Sequence, residues 1–118
     1  VGAAADRFVE VYTAAGVNGA SSYVAESYDA AALLMLAAQA AGEATPAGIA
    51  ANVLAVANAP GEEIFSGELA RGLEILAAGG EIDYQGATNV ELIGFGEASG
   101  SFREYTVQDG QVTTVQFH

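Results

Sequence analysis

The chain has 118 residues, the length of one domain, and carries fifteen acidic side chains against three arginines and no lysine, for a formal net charge of −12. Such a charge repels phosphate backbones and anionic membrane surfaces, which excludes nucleic acid as a partner. Cysteine is absent, so disulfides, thiolate zinc sites and a cysteine nucleophile are excluded, and any redox compartment is acceptable.

The acids are scattered along the chain, as on a solvated surface, rather than gathered into a cation-binding face. A membrane span needs about 18 apolar residues, and the longest apolar run, Ala30 to Ala38, falls far short. No signal-peptide pattern opens the sequence, so it reads as a chain whose leader was removed or that begins within a gene.

Asp6 to Ala15 is predicted to be a helix, with Phe8, Val11, Tyr12 and Ala15 on one face and Gly16 as its stop. Val17 to Ser22 reads as a turn around Asn18-Gly19, and Tyr23 to Ala25 as a short strand. Tyr28 to Ala41 is rich in strong helix formers, with Asp29 in the first turn and Gly42 at the end. Thr45 and Pro46 are the N-cap and first residue of a third helix, whose apolar stripe is Ile49, Val53 and Val56. Asn58 to Gly61 breaks it.

A fourth helix is expected from a Ser66 cap to about Ala78, burying Leu69, Leu73 and Leu76 and pairing Glu68 with Arg71. Gly79-Gly80 ends it. Glu81 to Gly100 reads as irregular, and Tyr84 and Gln85 before Gly86 as turn-shaping. Asp109-Gly110, between Phe102, Tyr105 and Val107 on one side and Val112, Thr114 and Gln116 on the other, predicts a β-hairpin. The apolar helix faces need a surface, so a parallel sheet is expected from residues outside this chain or from a second copy.

Catalysis is disfavoured by the residues available. The sole histidine, His118, is the last residue, which leaves no ready base for a Ser-His-Asp triad. Glu62-Glu63 and the Glu81/Asp83 pair match no calcium loop. Gly94 and Gly96 follow no strand–helix unit of a nucleotide fingerprint. No catalytic residue, metal or cofactor is expected.

The order Phe8-x3-Tyr12-x3-Gly16, Ser22-Tyr23, Tyr28-Asp29-Ala30 and an Ala/Leu helix resembles the type I periplasmic solute-binding proteins. More narrowly, it resembles the branched-chain amino acid, amide and urea binding group of ABC importers. The run Phe65-x3-Leu69-x3-Leu73-x2-Leu76-x2-Gly79, followed by Ile82-Asp83-Tyr84-Gln85-Gly86-Ala87, is similar to that group's helix, glycine and Tyr-x-Gly-Ala segment. Tyr105-Thr106-Val107 and Asp109-Gly110 resemble its closing hairpin. The chain departs from the pattern at Thr88-Asn89, where Ser-Gly is usual. It departs again at Leu92 to Glu97, where Phe-Asp, two residues and Gly-Asp are usual.

The resemblance implies an α/β architecture, part of a doubly wound, two-lobed periplasmic-binding-protein fold: a helix-rich fragment with a C-terminal β-hairpin. Residues 1–118 would be the C-terminal segment, with about 1–100 mainly in one lobe and 101–118 as the closing hairpin. It implies an ABC-importer component that takes a branched-chain amino acid or small amide in an interlobe cleft. Its partners would be that ligand, a membrane permease and the rest of the longer chain, in a periplasmic or extracellular setting.

The resemblance also implies Tyr23 as the leading candidate ligand contact, where an aromatic would wall an aliphatic group. Glu26, Ser27, Tyr28 and Asp29 stand behind it, and Asp29 suits a ligand ammonium. Each also has a structural reading: Tyr23 as a strand or core tyrosine, Tyr28 packed under its helix, Asp29 matching the helix dipole, and Glu26 and Ser27 as helix-entry residues. Met35 reads as gap-filling core. Two other functions compete: a ligand-sensing domain of a regulator or receptor with the same fold, and a stand-alone acidic interaction domain.

Overall fold

A computed structural model describes residues 2–17, 22–94 and 96–118, in an α/β arrangement of four helices and six strands. Helix α1 (Ala3–Ala14) starts earlier than the periodicity predicts and buries Ala4 and Phe8. Gly16 leaves the helix with φ +67°, a left-handed turn that glycine adopts without steric cost. Of the predicted Val17 to Ser22 turn, residues 18–21 lie outside the described residues.

Helix α2 (Val24–Ala41) begins four residues before the expected Tyr28, so the predicted strand at Tyr23–Ala25 does not exist. Tyr23 is its N-terminal boundary, at φ 65°. Its carbonyl accepts both the Ser27 backbone N–H at 2.9 Å and the Ser27 hydroxyl at 2.7 Å, which closes the first turn. The earlier start moves Asp29 out of the first turn, where Glu26 is the acid instead. The apolar residues of α2 run all round it, so Leu34 and Met35 are exposed and Met35 is not core.

Helix α3 (Pro46–Ala57) begins as its sequence dictates, the Thr45 hydroxyl accepting from Gly48 N–H at 3.1 Å. Val56 and Ala57 are buried, with Ile49 and Val53 packed beside them. Then β1 (Glu62–Phe65), α4 (Leu69–Ala77) and β2 (Ile82–Gly86) form a βαβ unit. β1 and β2 are parallel, pairing Glu62 with Ile82 and Ile64 with Tyr84, and the register shifts before Phe65 meets Gly86. Much of the stretch expected to be irregular is therefore sheet, and Tyr84 and Gln85 are strand residues rather than turn formers.

Two details of α4 differ from expectation. The Ser66 hydroxyl caps nothing: it is fully buried and has no hydrogen-bond partner. Glu68 is the boundary residue, and its carboxylate turns back to accept from Phe65 N–H at 3.0 Å. Glu68 consequently pairs with Arg7 of α1, and Arg71 makes two 3.0 Å bonds to Glu62 at the start of β1 instead. Leu69, Leu73 and Leu76 pack on the core as predicted.

That core is Leu33, Leu36 and Ala37 of α2, Val56 and Ala57 of α3, and Ile64, Ile82 and Tyr84 of the sheet, closed by Val90. Gly72 lets α4 approach it, since a Cβ there would lie 3.0 Å from Leu36. Asn58 then pins the following chain, its amide donating to Leu92 O at 2.8 Å and accepting from Leu92 N–H at 2.9 Å. Short strands β3 (Leu92–Ile93) and β4 (Glu97–Ala98) pair antiparallel.

The predicted hairpin is present as β5 (Arg103–Gln108) and β6 (Gln111–Phe117), turning at Asp109 and Gly110 with φ 51° and 76°. Two successive positive φ values are what a two-residue hairpin turn demands. No helix is long and apolar enough to cross a membrane among the described residues.

Replacing Thr45 with alanine removes the α3 cap without touching the core. A loss of about 1 kcal/mol is expected, read as a lower urea midpoint with an unchanged slope; an unchanged midpoint would show that Pro46 alone starts the helix.

Candidate functional site

The carboxyl end of β2 and the amino end of α2 meet at one place. Ligands of open parallel α/β sheets bind in crevices beyond the carboxyl ends of the strands. Here an open cleft of about 700 Å³ occupies that position. Ala25 and Glu26 of α2, Ala87, Thr88 and Asn89 after β2, and Ser99 to Ser101 before the hairpin line it, with Ala5 of α1. Glu26 is the one charged side chain among these residues.

Beneath the Ala87–Thr88 wall lies Asp29, 3% exposed. Its Oδ1 accepts from the Tyr84 hydroxyl at 2.9 Å and from Ala87 N–H at 2.8 Å. Its Oδ2 accepts from Thr88 N–H at 2.9 Å and from the Thr88 hydroxyl at 2.7 Å. A buried carboxylate is costly unless its lone pairs are satisfied, and four donors satisfy these. Asn89 follows at φ 56°, a left-handed conformation that asparagine tolerates.

Gly86 makes this approach possible. It has φ +58°, and a Cβ at that position would fall on Oδ1 of Asp29. Tyr84 itself is 1% exposed. Burial first, then the charge of Asp29 and the hydrogen bond to it, push the Tyr84 phenol far above its ordinary range, so it remains a donor.

Of the five residues singled out from the sequence, Glu26 lines the cleft and Asp29 supports its wall from behind. Ser27 is exposed, its hydroxyl committed to Tyr23 O. Tyr28 is half-buried, its ring 5.3 Å from that of Phe8 and its hydroxyl accepting from Gly67 N–H at 3.1 Å. Tyr23 is 77% exposed at the start of α2, one residue before the helix and outside the cleft lining. The structure brings in Thr88, Asn89, Ser99 and Ser101, for which sequence reasoning had no role; the only signal was the departure at Thr88-Asn89.

No protein-family profile matches the chain, and no solved structure does. One curated protein is similar: a chemotactic signal transduction system substrate-binding protein, BasB, of Halobacterium salinarum, 41% identical over 71 residues. The likeness is to a substrate-binding protein. The aligned part is 59% of this chain and 17% of that protein, so the chain spans a small fraction of its relative.

The Tyr84 phenol gives a pH signature. In the unfolded chain it ionises near pH 10, whereas in the fold its pKa is raised. Above about pH 10 the unfolded state therefore loses that proton first, and the stability present at lower pH is lost as pH rises. Tyr84→Phe is expected to lower stability at pH 7 by about 1–3 kcal/mol, because Asp29 loses a donor, and to flatten the decline above pH 10. Urea midpoints at pH 7, 9 and 11 check both, and an equally steep alkaline decline in the variant would remove Tyr84 as its cause.

Proposed function

We propose that this chain is part of a solute receptor that binds a small molecule in the cleft between α2 and the Ala87–Asn89 wall. The observation that carries this reading is the open cleft at the carboxyl end of β2, on a chain similar to a substrate-binding protein. The activity is binding, with no bond made or broken. Ligand closes the cleft against an opposing wall supplied by the rest of the receptor, shifting an open–closed equilibrium that a membrane partner reads.

Within that class, the sequence resemblance favours the substrate-binding component of an ABC importer for branched-chain amino acids or small amides, working in a periplasmic or extracellular setting beside a permease. The curated relative favours a second reading, a receptor whose partner is a chemotactic signalling protein. Gene neighbourhood separates the two: permease and ATPase genes mark transport, and a signalling receptor gene marks chemotaxis.

A thermal-shift screen of the full-length protein against branched aliphatic amino acids, small amides, urea and aromatic acids tests the common reading, because a ligand that binds only the folded state raises the melting temperature. A rise with one chemical class is expected. A well-folded protein that responds to none of them would overturn the assignment.

The family resemblance proposes Tyr23 as a ligand contact, although it stands outside the cleft lining of this chain. Tyr23→Ala is expected to weaken binding about tenfold, the loss of an aromatic contact of about 1.5 kcal/mol, with an unchanged melting temperature for the free protein. Unaltered affinity would remove Tyr23 from the site.

A further inference from the structure

Helices α2 and α3 carry apolar residues all round, yet only their inner sides are covered. A helix of that kind is ordinarily buried on every side. Residues 42–45 join the two, which pack on each other as an antiparallel helical hairpin. Leu34 and Met35 of α2 and Leu54 of α3 all lie roughly 10 Å from that loop, at 1.5 Å per residue, so they stand level with one another. These three side chains are 54%, 47% and 41% exposed. Ala31, Ala50 and Ala51, also exposed, flank them.

Charge is withheld from the same surface. Of the fifteen acids and three arginines, only Glu43 falls between residues 30 and 61. It sits in the loop, where its carboxylate accepts from the Thr45 hydroxyl at 3.0 Å. A chain with a net charge of −12 repels its own kind, but on this face two copies meet without bringing like charges together. A basic partner finds nothing here to pair with. The inner sides of α2 and α3 already lie on the core, and domains are built from two or three layers. Polypeptide that completes the domain therefore extends the sheet and leaves the outer side of these helices bare.

We infer that the outer side of the α2–α3 hairpin is a self-association surface, on which a second copy of the chain packs its own α2–α3 hairpin about a twofold axis. One patch serves both copies, as a closed symmetric dimer requires. The twelve residues of α3 run for about 18 Å and two helix widths span about 20 Å, so roughly 400 Å² per copy is covered. That is about half of what each partner gives to a standard interface, so the dimer is weak and reversible. Salt screens the repulsion between acidic surfaces and does not weaken apolar contacts, so association rises with ionic strength. The inference stands apart from the receptor reading, which a monomer leaves intact.

The test is sedimentation equilibrium of the full-length protein over a wide range of concentration, in about 0.1 M and about 1 M salt. A monomer–dimer equilibrium is expected, shifted toward dimer at the higher salt. Leu34→Glu and Leu54→Glu are each expected to weaken the dimer at least about tenfold, because each buries an unpaired charge on both sides of the interface. Glutamate is a strong helix former and both sites are exposed, so the variants keep their fold, as melting temperatures check. The double variant Leu34→Ala/Leu54→Ala adds no charge and is expected to weaken the dimer about tenfold through lost apolar contact. Val112→Glu, on the exposed β5–β6 hairpin, is expected to leave the dimer unchanged.

A dimer that dissociates as salt rises, or that yields to Val112→Glu and not to the helix variants, overturns the inference. So does a monomer at every concentration in both salts. In that case a sharp fall in melting temperature for Leu34→Glu would show that the rest of the receptor chain covers this face.

Discussion

The Asp29 carboxylate, buried and held by four donors, is the interaction on which the rest of the site depends. It joins the first turns of α2 to the end of β2, and through Tyr84 it reaches the centre of the core. Removing a charge from water is expensive, and a carboxylate buried without partners would destabilise the domain by several kcal/mol. With both oxygens doubly occupied, the cost is offset and the geometry of Ala87 and Thr88 becomes fixed. The cleft wall is thus a consequence of how a buried charge is satisfied. Gly86 is the steric condition for it, because any side chain at that position would displace the carboxylate.

The surrounding architecture is economical in strands. Two parallel strands make the sheet on which α2, α3 and α4 pack, and a separate two-stranded hairpin follows. Two-stranded units are marginal by themselves in water. Tyr105, Val107, Val112, Val115 and Phe117 of the hairpin are all more than half exposed. These apolar surfaces accord with the proposed place of the chain in a larger receptor, where further polypeptide would cover them.

Charge acts on a different scale from these contacts. A net charge of −12 favours solubility and opposes compaction through self-repulsion. The ion pairs that soften it locally are exposed and cross between elements, Arg7 with Glu68 and Arg71 with Glu62. Exposed pairs of this kind contribute little individually. The apolar core, not the surface charge, therefore carries the stability of the described fold.

What could be read from the sequence was whatever is decided within a few residues. The Thr45-Pro46 start of α3, the Gly16 and Gly42 stops, the leucine stripe of α4 and the Asp109-Gly110 turn all follow from local sterics and short hydrogen bonds, and all are present in the structure. Glu26 came forward as a candidate only through the family resemblance; by its local sequence it read as a helix-entry residue. What the tertiary structure decided depends on partners far along the chain. The donors that enclose Asp29 lie 55 to 59 residues away, so no periodicity could distinguish it from an ordinary helix-end acid. β1 is a four-residue strand opening with two glutamates, and only its pairing with β2 makes it a strand. Ser66 resembles a cap locally, yet packing buries it and leaves its hydroxyl unused. The sequence by itself determined where helices and the hairpin start and stop, because those choices are local; the buried carboxylate, the sheet and the cleft arose only from non-local packing, because their energies exist only once distant segments are brought together.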